Sequence, residues 1–168
     1  AYYAWALRAS TTTAMSPDEI HETGRRELAE LQSRMDAILK RNGYTTGTVG
    51  QRMVALAKDP KYKFREGDPG RADIMAYIAE WIAKFRGLTP RGFNTLVRAN
   101  LEVKRLPPEE ETGAPGAYGG AGSIDGTIPG KFWINLRSTD LHTKFDLPDL
   151  THHEAIPGHV WQGEYANK

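Results

Sequence analysis

The residues best suited to chemistry stand near the end of the chain, in the run His153-Glu154-Ala155-Ile156-Pro157-Gly158-His159. Two imidazoles and a carboxylate within seven residues are the nitrogen and oxygen donors that zinc takes. The chain has no cysteine, so thiolate zinc sites and disulfides are excluded and a metal must be held by His and carboxylate. Zinc hydrolases commonly write their site as His-Glu-x-x-His on one helix, where a spacing of four puts both imidazoles on one face. The Glu between them takes a proton from the attacking water. Here the second His comes two residues late, which on an ideal helix leaves it about 120° away from the first. A regular helix therefore cannot present both rings to one ion. Pro157-Gly158 supplies the remedy, because Pro removes a backbone donor and clashes with the preceding turn, while Gly tolerates unusual dihedrals. A kink or bulge there brings His159 back beside His153. The expectation is a metal held by His153 and His159 with Glu154 as general base.

Plainer roles compete. His153 and His159 could be solvated residues beside a helix break, and Thr151-His152-His153-Glu154 also fits a capping box, which would make Glu154 a cap. His152 shares a helical face with His159 but sits about 10 Å from it along the axis, so it reads as a substrate-facing group and not a ligand. Asn135 is the second candidate for substrate binding. It lies on the apolar run Phe132 to Leu136, read as an edge strand beside the metal to which a peptide could add as a further strand. The glycine-rich stretch 113–130 cannot be helical. It lacks Gly-Lys-Ser/Thr and a G-x-G-x-x-G after a strand, which argues against a phosphate cradle and leaves a loop. His21 and His142 stand alone and are taken as non-catalytic, and Glu109-Glu110-Glu111 as a solvated loop.

The elements that must position these residues follow from punctuation and period. Residues 1–15 finish one helix and turn. Ser16-Pro17-Asp18-Glu19 is a helix start with a cap, a proline at the first position and a capping-box Glu. Apolar residues at helical spacing then run from Ile20 to Leu39, until Asn42-Gly43. A second helix covers Val49 to Lys58. A third starts at Asp68-Pro69, carries Ile74, Tyr77, Ile78, Trp81, Ile82 and Phe85 on one face, and stops at Gly87. These three helices are expected to share a core. Residues 101–106 and 131–136 read as strands, and Asp149 to Gln162 as a helix broken at Pro157-Gly158.

Over 168 residues, 39% hydrophobic and 26% charged content describes a globular chain, and a net charge of +1 without a basic tract argues against nucleic acid. No apolar run approaches the ~18 residues that a membrane span requires. Lack of cysteine suits either the cytosol or an exported, periplasmic location. The fold class expected is mainly α with a small β element (α+β), in three stretches: helical 1–99, β and glycine-rich 100–140, and the motif helix 149–168.

The motif His-Glu-Ala-Ile-Pro-Gly-His resembles the signature of the bacterial domain-of-unknown-function 885 family, which is grouped with gluzincin-type metallopeptidases. Two further segments carry the resemblance: Thr11-Thr12-Thr13 with Met15 to Gly24, and Asp125-Gly126-Thr127-Ile128-Pro129-Gly130-Lys131-Phe132-Trp133-Ile134-Asn135. It implies a zincin-like, mostly helical fold in proteins several hundred residues long, of which residues 1–168 are one internal fragment. It implies zinc on His153 and His159, Glu154 as base, and a third ligand, a Glu on a later helix, that this chain does not contain. Glu164 follows His159 too closely to replace it. A zinc peptidase acting on short peptides or related amides is the leading expectation, its site completed by the remainder of the enzyme. A non-catalytic helical binding or structural module with a vestigial motif is the alternative.

Overall fold

The computed structural model describes residues 2–98 and 100–167. The chain divides into two compact units, Ala1–Ala57 and Lys58–Lys168.

The first unit holds helices α1 (Tyr2–Thr11) and α2 (Pro17–Arg41) and most of α3 (Val49–Lys58). The predicted capping box opens α2: the Ser16 side chain accepts from the Glu19 amide, and the Glu19 carboxylate accepts from the Ser16 amide at 2.7 Å. Gly43, at φ +87°, ends it, and the Tyr44 amide reaches back to the Leu39 carbonyl at 2.9 Å. Asp36 of α2 and Arg52 of α3 pair through Arg52 Nη2, and Arg52 is almost fully buried.

The second unit holds the long helix α4 (Gly67–Gly92), strands β1 (Leu101–Arg105), β2 (Ala117–Gly120) and β3 (Gly130–Ile134), and helices α5 (Leu147–Glu154) and α6 (His159–Ala166). Ile74, Ile78 and Ile82 of α4 form an apolar core with Phe132 and Ile134 of β3, Leu147 of α5, and Ala155, Ile156 and Trp161 around the helix break. The α4 stripe buries against the sheet and the last two helices, and α2 and most of α3 belong to the other unit. Gly87 does not stop α4, which continues to Gly92 through Pro90. Proline deprives the Arg86 carbonyl of its amide donor, and the Thr89 hydroxyl supplies a substitute at 2.8 Å.

The sheet order is β1-β3-β2, with β1 parallel and β2 antiparallel to β3. The segment read as an edge strand is therefore central, and the edges are β1 and β2, the latter in the glycine-rich stretch where no strand was expected. The fold class is mainly α with a small β element.

Candidate metal centre

The helix break does what the spacing demands. Helix α5 ends at Glu154, and the Ala155 amide still closes a regular bond to Thr151 at 2.9 Å. Residues 155–158 then leave the helix, with the Ile156–Pro157 peptide cis. Helix α6 restarts at His159. The Trp161 amide donates back to the Ala155 carbonyl at 3.2 Å, a reach of six residues that spans the inserted turn. Ala155 and Ile156 are fully buried, so the turn is anchored in the core. Gly158 packs onto the preceding helix so tightly that a Cβ there would lie 1.8 Å from the His153 carbonyl oxygen.

This path brings the two rings together. The centroids of His153 and His159 lie 4.8 Å apart with the planes at 87°. One ligand atom from each of His153, Glu154 and His159 lies within 4.8 Å of the others, and among the described residues this is the group of His and carboxylate side chains able to share an ion. Donors on one tetrahedral zinc lie about 3.3 Å apart. Both rings are exposed and can rotate through the remaining gap.

Glu154 differs from the two imidazoles. It is buried, and its Oε2 has no hydrogen-bond partner. A buried, unpartnered carboxylate oxygen is costly unless something outside the chain meets it. A cation with its water beside two imidazoles is such a partner, so the donor set fits zinc. The capping-box alternative fails on geometry. Thr151 is in the middle of α5, where its hydroxyl donates to the Leu147 carbonyl at 2.7 Å, and Glu154 is the last residue of that helix.

The other candidates lie apart from this trio. His152 is exposed and rests edge-on against Phe85, 4.9 Å between ring centroids, at the end of a row of rings formed by Tyr77, Trp81 and Phe85. Asn135 is buried just past β3. Its amide nitrogen donates to the Glu111 carbonyl at 2.9 Å and lies within bonding distance of those of Ala114 and Pro115, and its Oδ1 accepts from the Arg137 amide. The side chain thus stitches the loop before β2 to the end of β3. Glu164 accepts from the Arg98 amide at 3.0 Å and takes no part in the group.

One buried polar group was misread, and a second is buried without a role in the site. Glu111 is 3% exposed, not solvated: it receives both the Nε and Nη2 of Arg105, at 2.8 and 2.9 Å, and the Leu136 amide at 3.0 Å. The Arg105 guanidinium holds its carboxyl below the usual range, opposed by burial and helped by the Leu136 amide. His142 is fully buried with Nε2 2.7 Å from the Asn135 carbonyl oxygen, and burial lowers its pKa.

The model of the family described as "Bacterial protein of unknown function (DUF885)" matches residues 1–168. The chain belongs to the DUF885 family. A solved structure, described as the "putative lipoprotein from Colwellia psychrerythraea", is 39% identical over 96% of this chain with a TM-score of 0.88. The DUF885 chain spans 28% of the length of that protein. No curated protein matches it.

Proposed function

We propose that this DUF885 chain carries the metal-binding and general-base portion of a zinc-dependent metallopeptidase that hydrolyses peptide or related amide bonds. The observation that carries the proposal is the meeting of His153 and His159 across the helix break, beside a buried Glu154 oxygen without a partner.

His153 and His159 would hold the zinc through ring nitrogens. Zinc, when bound, supplies Lewis acidity that polarises the scissile carbonyl and acidifies water. Glu154 takes the proton from the water as its oxygen bonds to the carbonyl carbon, then delivers that proton to the amide nitrogen as the C–N bond breaks. Burial of Glu154 keeps its carboxylate from being solvated and fixes its position for this transfer. The third protein ligand is proposed to be the Glu on a later helix that the family resemblance implies, contributed by the remainder of the enzyme.

Strand β2 is the free edge nearest Glu154, since Gly119 lies against that residue. Tyr118, Lys131 and Trp133 border a groove of about 310 Å³ on the outward face of the sheet, which none of His153, Glu154 and His159 lines, so an extended peptide is proposed to add along the β2 backbone and not to lie in that groove. His152, exposed and resting against Phe85, is proposed to face the substrate. Asn135 is proposed to serve the site indirectly, by holding the 111–115 loop, because its amide is engaged within the chain. The relative's lipoprotein designation favours an exported over a cytosolic location. The second reading, a non-catalytic module, draws on there being, among the described residues, no further His or carboxylate in the group with His153, Glu154 and His159.

The test is hydrolysis of a quenched-peptide library by the full natural protein and its Glu154→Gln form. We expect a loss of at least about a hundredfold with zinc retained. Equal turnover by the two proteins would remove Glu154 from the chemistry.

A further inference from the structure

The glycine at the middle of the edge strand stands closer to Glu154 than any other residue type could. A Cβ on Gly119 would lie 2.4 Å from the Glu154 carbonyl oxygen, 3.1 Å from its carbonyl carbon and 3.1 Å from the carboxylate Oε2. Real Cβ contacts do not fall below 3.0 Å. Neither side of this contact can yield easily. Gly119 is held in register opposite Phe132, a fully buried residue of the central strand. The Glu154 carbonyl lies at the end of α5, followed directly by the buried pair Ala155 and Ile156. The Oε2 has no hydrogen bond to hold it and lies 3.1 Å from where a Gly119 Cβ would stand, so a side chain at 119 would press on the space the carboxylate now uses.

We propose that Gly119 is a positioning residue for Glu154: by having no side chain it lets β2 close over the base and sets the depth at which the carboxylate sits beside the two imidazoles. This rests on the general-base assignment of Glu154. A second close contact seats the same strand from its far end. A Cβ on Gly163 of α6 would lie 2.6 Å from the Cβ of Ala121, the residue just after β2. Pushing there lifts β2 away from Glu154 without touching Glu154 itself.

The experiment uses the full natural protein with zinc as the only added metal. Gly119→Ala is compared with Gly116→Ala, just before the same strand, where a Cβ meets nothing nearer than His142 at 3.8 Å. Gly119→Ala should lower kcat by about ten- to a hundredfold, as displacements near 1 Å do, with KM changed less than about threefold and zinc stoichiometry unchanged. It should also lower the melting temperature of the zinc-free protein, whereas Gly116→Ala should leave kcat and zinc-free melting as they are. Should Gly119→Ala not fold, Gly163→Ala carries the test: it should lower kcat, and adding Ala121→Gly, which removes the atom struck, should restore it. Wild-type kcat in Gly119→Ala, or a Gly163→Ala loss that Ala121→Gly leaves in place, overturns the positioning role. Those failures are separate from failure of the base assignment, which Glu154→Gln alone decides: an inactive Glu154→Gln beside a fully active Gly119→Ala rejects only the role of Gly119.

Discussion

Replacing Gly158 by alanine should open the turn that brings the two histidines together. Gly158 sits at φ −77° and ψ −146°, and the cost of alanine there is worked from what its methyl group would meet. The added methyl would lie 1.8 Å from the His153 carbonyl oxygen, 2.2 Å from its carbon and 2.5 Å from the His152 carbonyl oxygen. All three are backbone atoms of a helix, so no side chain can swing away. Relief requires residues 155–158 to retreat by about 1 Å, and forced overpacking of that kind costs about 1–3 kcal/mol. For a domain of this size that lowers the melting temperature by about 2–10 °C. Because the retreat separates His153 from His159, zinc affinity should fall by about ten- to a hundredfold, at about 1.4 kcal/mol per tenfold. Calorimetry of the zinc-free protein and competition titration against a chromophoric chelator measure the two effects. A Gly158→Ala protein that melts and binds zinc like wild type would show that this tight turn does not set the distance between the rings.

Other expectations follow from the same geometry. Gly24, inside α2 with nothing within 4 Å of a Cβ, should stabilise the protein by about 0.5–1 kcal/mol as Gly24→Ala, read as a raised melting temperature. Glu111→Gln should destabilise by about 2 kcal/mol in chemical denaturation. That is less than the 3–5 kcal/mol typical of fully buried pairs, because Arg105 keeps 36% of its side chain in water. His142 is depressed in the folded state, so the unfolded chain takes up a proton first and stability should fall as pH drops below about 6.5. Glu111, also depressed, adds a loss at lower pH, as the pH falls through the carboxylate range. Denaturation from pH 8 to 5 should show the first loss, and His142→Gln should flatten it.

Much of this was readable from local chemistry. The Ser16 cap, the Gly43 stop and the bounds of α3 depend on neighbours within a few residues, and so did the need for a break between His153 and His159. What escaped depended on distant partners. Strand β2 is hidden because Gly119 and Gly120 are poor strand formers, and at Gly119 the close approach of Glu154 explains the choice. Once β2 takes the edge, β3 is enclosed, which reversed the role given to the segment holding Asn135. Glu111 looked like one of three solvated acids, and its burial depends on Arg105 and on the Leu136 amide 25 positions later. Gly87 looked like a stop because the rescue of the Pro90 gap by the Thr89 hydroxyl is a side-chain event.

Zinc content of the full natural protein, measured by mass spectrometry after dialysis against a weak chelator, bears most directly on the proposed centre. One zinc per chain in the wild type, lost in both His153→Ala and His159→Ala and kept in Glu154→Gln, is the expected result. A protein that retains its zinc without either imidazole, or that takes up none at all, would contradict it.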